Sequence, residues 1–141
     1  MIALDTNVIS ELWKTNPDPS VLAWVDAQIV ETLYLSAITV AELRFGLATM
    51  PEGKRRTIFR KRLEQEVLPA FAGRIIPFDL DASRTYAELM AKAKAAGKPI
   101  STADGYIAAT VASRNLMIAT RDVGPFQAAG ILTIDPWKAV L

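Results

Sequence analysis

With 141 residues, 51% of them hydrophobic, and a net charge of only +1, the chain fits one compact domain with a well-filled core and excludes an intrinsically disordered one. It contains neither Cys nor His, which excludes disulfides, thiolate nucleophiles, Cys/His zinc sites and imidazole acid–base chemistry. Chemistry done with this alphabet rests on carboxylates, Lys, Arg, Tyr or hydroxyls, and hard carboxylate oxygens select Mg2+ or Mn2+ over zinc or copper. No apolar run approaches the roughly 18 residues of a membrane span, and no basic segment precedes Asp5 as a secretory signal would require. A soluble cytoplasmic protein is expected.

Taken in chain order, residues 2–4 read as a strand and 6–13 as a helix. "NPDPS" (16–20) is a turn, with Ser20 a candidate N-cap for the helix "VLAWVDAQ". "TLYLS" (32–36) reads as a strand. Residues 39–49 read as a helix with Val40, Leu43 and Leu47 on one side, broken by Met50-Pro51-Glu52-Gly53. A helix from Lys54 to Leu68 follows. "RIIPF" (74–78) is a strand whose proline suits a sheet edge. Residues 81–96 form a helix with Ala82, Tyr86, Leu89, Met90 and Ala93 on one face, and Gly97 stands at its C′ position. Helix 101–114, strand "LMIAT" (116–120), a short element at 125–129 and strand "ILTI" (131–134) complete the chain.

Within the helix after Met50, "GKRRTIFRKRLEQE" crowds together Lys54, Arg55, Arg56, Arg60, Lys61 and Arg62. Such a run either contacts phosphates or is a solvated helix face over a buried stripe of Phe59, Leu63 and Val67. The second reading is preferred, because most surface helices carry a charged outer face.

Short, nearly all-apolar strands separated by helices predict βαβ units, a parallel sheet covered on both faces, and a three-layer α/β domain over residues 1–141. On that scheme Asp5 ends the first strand, Glu42 and Asp104 lie in first helical turns, and Asp122 stands just after "LMIAT". Strand C-termini and the N-termini of the helices that follow share one edge of such a sheet, so these four acids are expected on one rim. Each also has a local alternative. Thr39-x-x-Glu42 and Ser101-x-x-Asp104 match the capping-box pattern, and Asp5 could cap the helix behind it. Four carboxylates clustered on one rim repel unless a divalent cation bridges them, which shifts the balance toward a metal site. Asp79 also ends a strand and is a fifth candidate on geometry alone, with Asp81 available to cap the next helix. Thr6, Asn7, Ser101 and Thr120 could orient carboxylates or act as plain caps. Arg121 could meet a phosphate or pair with an acid, a structural ion pair being preferred.

"LDTNVISEL" (4–12), "AITVAELRFG" (37–46), "STADGYIAATVASRN" (101–115) and "IATRD" (118–122) together resemble the PIN-domain nucleases, in particular VapC-type toxins of the FitB-like branch. The likeness extends over "GRIIPFD" and the closing "DPW". It implies an α/β/α sandwich, an acidic pocket for Mg2+ or Mn2+, RNA phosphodiester hydrolysis, and neutralisation by a cognate VapB/FitA-like antitoxin. It also implies a homodimer within a toxin–antitoxin assembly that reaches operator DNA only through the antitoxin. Carried over position by position, the pocket acids are Asp5, Glu42, Asp104 and Asp122. Asp79 matches no catalytic position of the family, and Thr6, Asn7 and Thr120 match polar pocket positions.

The implied mechanism has Asp5, Asp104 and Asp122 hold the metal while Glu42 binds a second ion or positions the attacking water. Lys54–Arg62, or Lys92, Lys94 and Lys98, would steer RNA. Two rivals stand beside it. A phosphatase with Asp5 as nucleophile would want D-x-D, and position 7 here is Asn. A partner-binding module would use the acids only as caps.

Overall fold

The computed structural model describes residues 1–139. Five strands, β1 (Ile2–Leu4), β2 (Leu33–Ser36), β3 (Ile75–Ile76), β4 (Met117–Ala119) and β5 (Thr133–Ile134), form one parallel sheet in the order β3-β2-β1-β4-β5. The expected α/β/α layering is present. Side chains alternate between faces: Leu4, Leu33, Leu35 and Ala119 enter one core, and Ala3, Tyr34 and Ile118 the other. The first core is closed by α1 (Thr6–Leu12), α2 (Pro19–Asp26), α3 (Ala37–Thr49) and α4 (Lys54–Arg62), through Val8, Val21, Trp24, Leu43 and the partly buried Phe59. The second is closed by α6 (Leu80–Ala95), α7 (Thr102–Ser113) and α8 (Val123–Ala128), through Leu89, Ala93, Ile107, Val111 and Phe126.

Several elements depart from expectation for local reasons. Asp18, not Ser20, caps α2, because Pro19 takes the first helical position and Asp18 accepts from the amides of Ser20 and Val21. Ser36 caps the helix after β2 by accepting from the Thr39 amide, so α3 starts at Ala37 rather than residue 39. The helix expected to run unbroken from Lys54 to Leu68 is α4, a π-helical turn at Leu63–Val67, and a short α5 (Leu68–Ala70). Phe59, Leu63 and Val67 still form its inward stripe, fully buried at Leu63. β3 stops at Ile76, before Pro77, and lies at the sheet edge as its proline suggested. Gly97, at φ 71°, closes α6 as expected, with the Lys98 amide reaching back to Ala93.

One topological feature decides the fate of an acid. The crossover from β3 to β4 contains two antiparallel helices, α6 and α7, rather than one. Gly105 near the start of α7 lies against Met90 and Tyr86, where an added Cβ would come within 2.7 Å of the Met90 sulfur. At the other end Asp79, the cap of α6, reaches Arg114 at the end of α7, 3.2 Å away. The start of α6 therefore lies at the opposite sheet edge from the start of α7, beside a depression lined by Met1, Pro77, Arg114 and Leu116.

Candidate functional site

The rim at the C-terminal ends of β1 and β4 lies where the chain switches direction across the sheet, the usual position of a ligand crevice in open α/β folds. Asp5 enters it directly behind β1. Its backbone amide extends the β1–β4 ladder by bonding Ala119 at 2.9 Å, which fixes where its side chain begins. Asp5 is also the N-cap of α1: its Oδ1 accepts from the Thr6 amide at 2.9 Å. Capping and rim placement are therefore one geometry: Asp5 is the cap that its place before the helix allowed, and neither Thr6 nor Asn7 takes that role.

The second carboxylate oxygen, Oδ2, accepts from the Thr120 hydroxyl at 2.8 Å. Thr120 is fully buried and uses its whole hydrogen-bonding capacity. Besides donating to Asp5, its Oγ1 accepts from Asn7 Nδ2 at 3.2 Å and from the Asp122 amide at 3.1 Å. The Asn7 orientation is fixed in turn, since its Oδ1 accepts from the Arg121 amide at 3.4 Å. With both lone pairs taken by donors, the hydroxyl hydrogen can only point at Asp5. Thr120 thus ties three segments to one carboxylate.

Glu42 comes from the second turn of α3, not the first. Its expected capping-box role with Thr39 is absent, because Thr39 lies inside the helix and Ser36 does the capping. The glutamate is held across the rim instead by the Thr6 hydroxyl, which donates to Oε1 at 2.5 Å. Asp104 stands at the third position of α7, where its amide donates to Oγ of the capping Ser101 at 3.3 Å. Behind it Tyr106 packs against Phe78 and Tyr86, with centroids 5.0 and 4.9 Å apart. Asp122 precedes α8 but makes no side-chain capping bond, so its carboxylate is free to face solvent.

Burial pushes the Asp5 carboxyl from 3.8 up to about 6. The Thr120 and Thr6 bonds pull it back, while the charges of Glu42 and Asp104 add to the rise. Among the described residues none of the four acids has a cationic partner within ion-pair distance, and no three of them converge closely enough to clasp one ion unaided.

Asp79 is a contrast. The Ala82 amide, and then Arg114, hold its carboxyl below the ordinary value. It rather than Asp81 caps α6, and it is a satisfied structural acid on the far edge. Arg121 forms no ion pair among the described residues; its guanidinium lies over the Trp137 ring, 5.2 Å from the centroid. The Thr6–Glu42 bond has no signature in the sequence, since α1 and α3 meet only through the tertiary fold. Nor has the cleft of about 310 Å³ that opens beside this pair toward Trp13, Arg55 and Phe59.

A family model for the PIN domain matches residues 2–131. The VapC ribonuclease Y4jK of Sinorhizobium fredii is 72% identical over 138 residues, 98% of this chain and 99% of that protein. The toxin FitB of Neisseria gonorrhoeae is 53% identical over 137 residues, 97% and 99% of the two chains. Among solved structures, a chain of FitAB bound to an IR36 DNA fragment superposes with a TM-score of 0.96 at 49% identity, covering 100% of this chain and 99% of that one.

Proposed function

From the premise that this chain belongs to the PIN-domain family, with the VapC and FitB toxins as its full-length relatives, we propose that it is a Mg2+- or Mn2+-dependent endoribonuclease, the toxin of a toxin–antitoxin pair. One observation carries the reading. Asp5 is 6% exposed, faces the charges of two further acids, and has no cation of its own among the described residues.

The donor set fits a hard divalent cation. It is all carboxylate oxygen, and positive charge at the rim would relieve the repulsion that, with burial, raises Asp5. Mg2+ keeps several of its own waters and needs only one or two carboxylates directly, so a rim without a ready-made chelate of three acids suits a hydrated ion. Asp5, Asp104 and Asp122 would hold it, partly through the waters that it keeps. When bound, the cation would supply positive charge at the scissile phosphate and lower the pKa of a water. The chain's own residues do the rest. Thr120 keeps Asp5 aimed at the rim, Thr6 keeps Glu42 across from it, and Glu42 orients the attacking water or holds a second ion. With water as nucleophile, the RNA 2′-hydroxyl takes no part.

The FitAB neighbour, solved bound to a DNA fragment, supports a FitA- or VapB-like antitoxin as the partner of this chain; in the proposed assembly the toxin is a homodimer and operator DNA is contacted through the antitoxin alone. No helix among the described residues is long and apolar enough to cross a membrane. The proposed RNA substrate is the reason for placing the protein, as one nuclease domain, in the cytoplasm.

The test is incubation of purified protein with total RNA in Mg2+, Mn2+ or EDTA, beside Asp5→Asn. Cleavage that needs the ion and Asp5, and that the antitoxin suppresses, is expected. Equal cleavage by Asp5→Asn would remove Asp5 from the site.

A further inference from the structure

The cleft beside Thr6 and Glu42 does not end at the rim. It continues past Trp13 and Arg55 into a second depression of about 480 Å³, whose walls include Lys54, Arg55, Ile58, Phe59 and Arg62. We infer that this groove is a subsite for single-stranded RNA, in which the chain flanking the scissile phosphate runs along one face of α4.

α4 carries cations all round, yet its two flanks differ. Positions 54, 55, 58, 59 and 62 face the groove; Arg56, Thr57 and Arg60 line a separate depression with Glu52. Only the groove face pairs its charge with aromatic surface. Trp13 and Phe59 stack with rings 11° apart and centroids at 5.7 Å. The Arg55 and Arg62 guanidinium groups lie over the Phe59 ring at 5.3 and 5.6 Å. Stacking on Phe59 keeps both arginine heads along the groove instead of letting them sweep solvent. Lys54 and Arg55 have no acidic partner among the described residues, and Arg62 meets Glu66 only at 3.9 Å. No residue of α4 is fully buried, and Ile58 is 47% exposed. Cations for phosphates, interleaved with rings and apolar surface for bases, are what sequence-tolerant single-strand binding uses. A groove meant only for an apolar protein segment has no need of the unpaired cations. Continuity with Glu42 at the inner end supplies the direction: a strand lying here delivers its backbone to the four acids.

The inference rests on the reading above that the substrate is RNA, and its test separates the two. Binding of a short fluorescein-labelled oligouridylate is followed by anisotropy in EDTA, on an Asp5→Asn background, so that hydrolysis plays no part. Lys54→Gln/Arg55→Gln is compared with Arg60→Gln/Lys61→Gln, which removes the same charge from the same helix outside the groove. The groove pair is expected to weaken binding about tenfold and to flatten the salt dependence by about 0.7 for each phosphate that is no longer neutralised. The control pair should change both far less. Oligonucleotide binding should also quench Trp13 emission, and the quench should vanish in Trp13→Phe. Equal losses in the two double variants would mean unspecific attraction to a basic helix. Unchanged binding in the groove pair would mean that the groove serves a protein segment instead. Either result overturns the subsite. If groove-dependent binding is found but the wild-type protein cuts no RNA in Mg2+ or Mn2+, the subsite stands and the nuclease reading falls.

Discussion

Thr120 Oγ1 donates to Asp5 Oδ2 at 2.8 Å, joining residues 115 positions apart at the switch point of the sheet. The hydroxyl has no spare capacity, since Asn7 and the Asp122 amide take its lone pairs. Thr120→Val keeps the shape and removes the only atom that satisfies all three. It should cost about 1–3 kcal/mol of stability and raise the Asp5 carboxyl further, whereas Thr120→Ser should restore both. Denaturant melts and a pH titration of the two variants check this; a Val variant as stable as wild type would contradict it.

The raised Asp5 carboxyl makes stability depend on pH in a definite direction. The folded protein holds this proton up to about pH 6, whereas the unfolded chain releases it near 3.8. Between those values the unfolded state binds fewer protons, so stability falls as pH rises through the window. The effect is complete above pH 6 and on the order of 3 kcal/mol. Asp5→Asn should therefore melt higher than the metal-free wild type at neutral pH, with the difference vanishing near pH 4. A difference of the opposite sign at neutral pH would show that Asp5 is already compensated.

Cation binding should reverse that penalty. Mg2+ or Mn2+ at about 100 times its dissociation constant stabilises a folded protein by about 2.7 kcal/mol. EDTA should remove the gain, and Asp5→Asn should largely lack it. Thermal shift across a Mn2+ titration reads this without any RNA. An identical shift in Asp5→Asn would place the ion elsewhere.

Thr6 acts on Glu42, not on the fold. Thr6→Ala loses one hydrogen bond at a partly open site, about 0.5–1.5 kcal/mol. Release of the carboxylate should lower cleavage about 10–100-fold, as loss of an orienting partner typically does. Thr6→Ser should recover it. Activity unchanged in Thr6→Ala would show that Glu42 needs no guide.

Asp79 tests the topology. Asp79→Ala should cost about 1 kcal/mol as a lost cap, together with its Arg114 pair, and leave cleavage untouched. A large loss of activity in the folded variant would return Asp79 to the site.

These cases show where the sequence could be read and where it could not. Alternating apolar strands and helices made the sheet legible, and three of the four acids follow directly from strand and helix boundaries. Glu42 reached its place for a different reason than its spacing suggested: Ser36 starts α3 early and moves it into the second turn. Asp79 looked equivalent to Asp5 because both follow strands, yet the α6–α7 hairpin reverses the direction of α6. No local pattern reports that reversal. Pairs such as Thr6–Glu42, Trp13–Phe59 and Arg121–Trp137 join distant segments, and only the packed fold brings them together.

The most direct measurement is the chemistry of the cut ends. RNA cleaved by the purified protein in Mg2+ or Mn2+ should carry 5′-phosphate and 3′-hydroxyl termini, with no such ends from Asp5→Asn or in EDTA. A 2′,3′-cyclic phosphate would mean that the RNA's own hydroxyl attacks, and it would contradict water-driven hydrolysis at the four-acid rim.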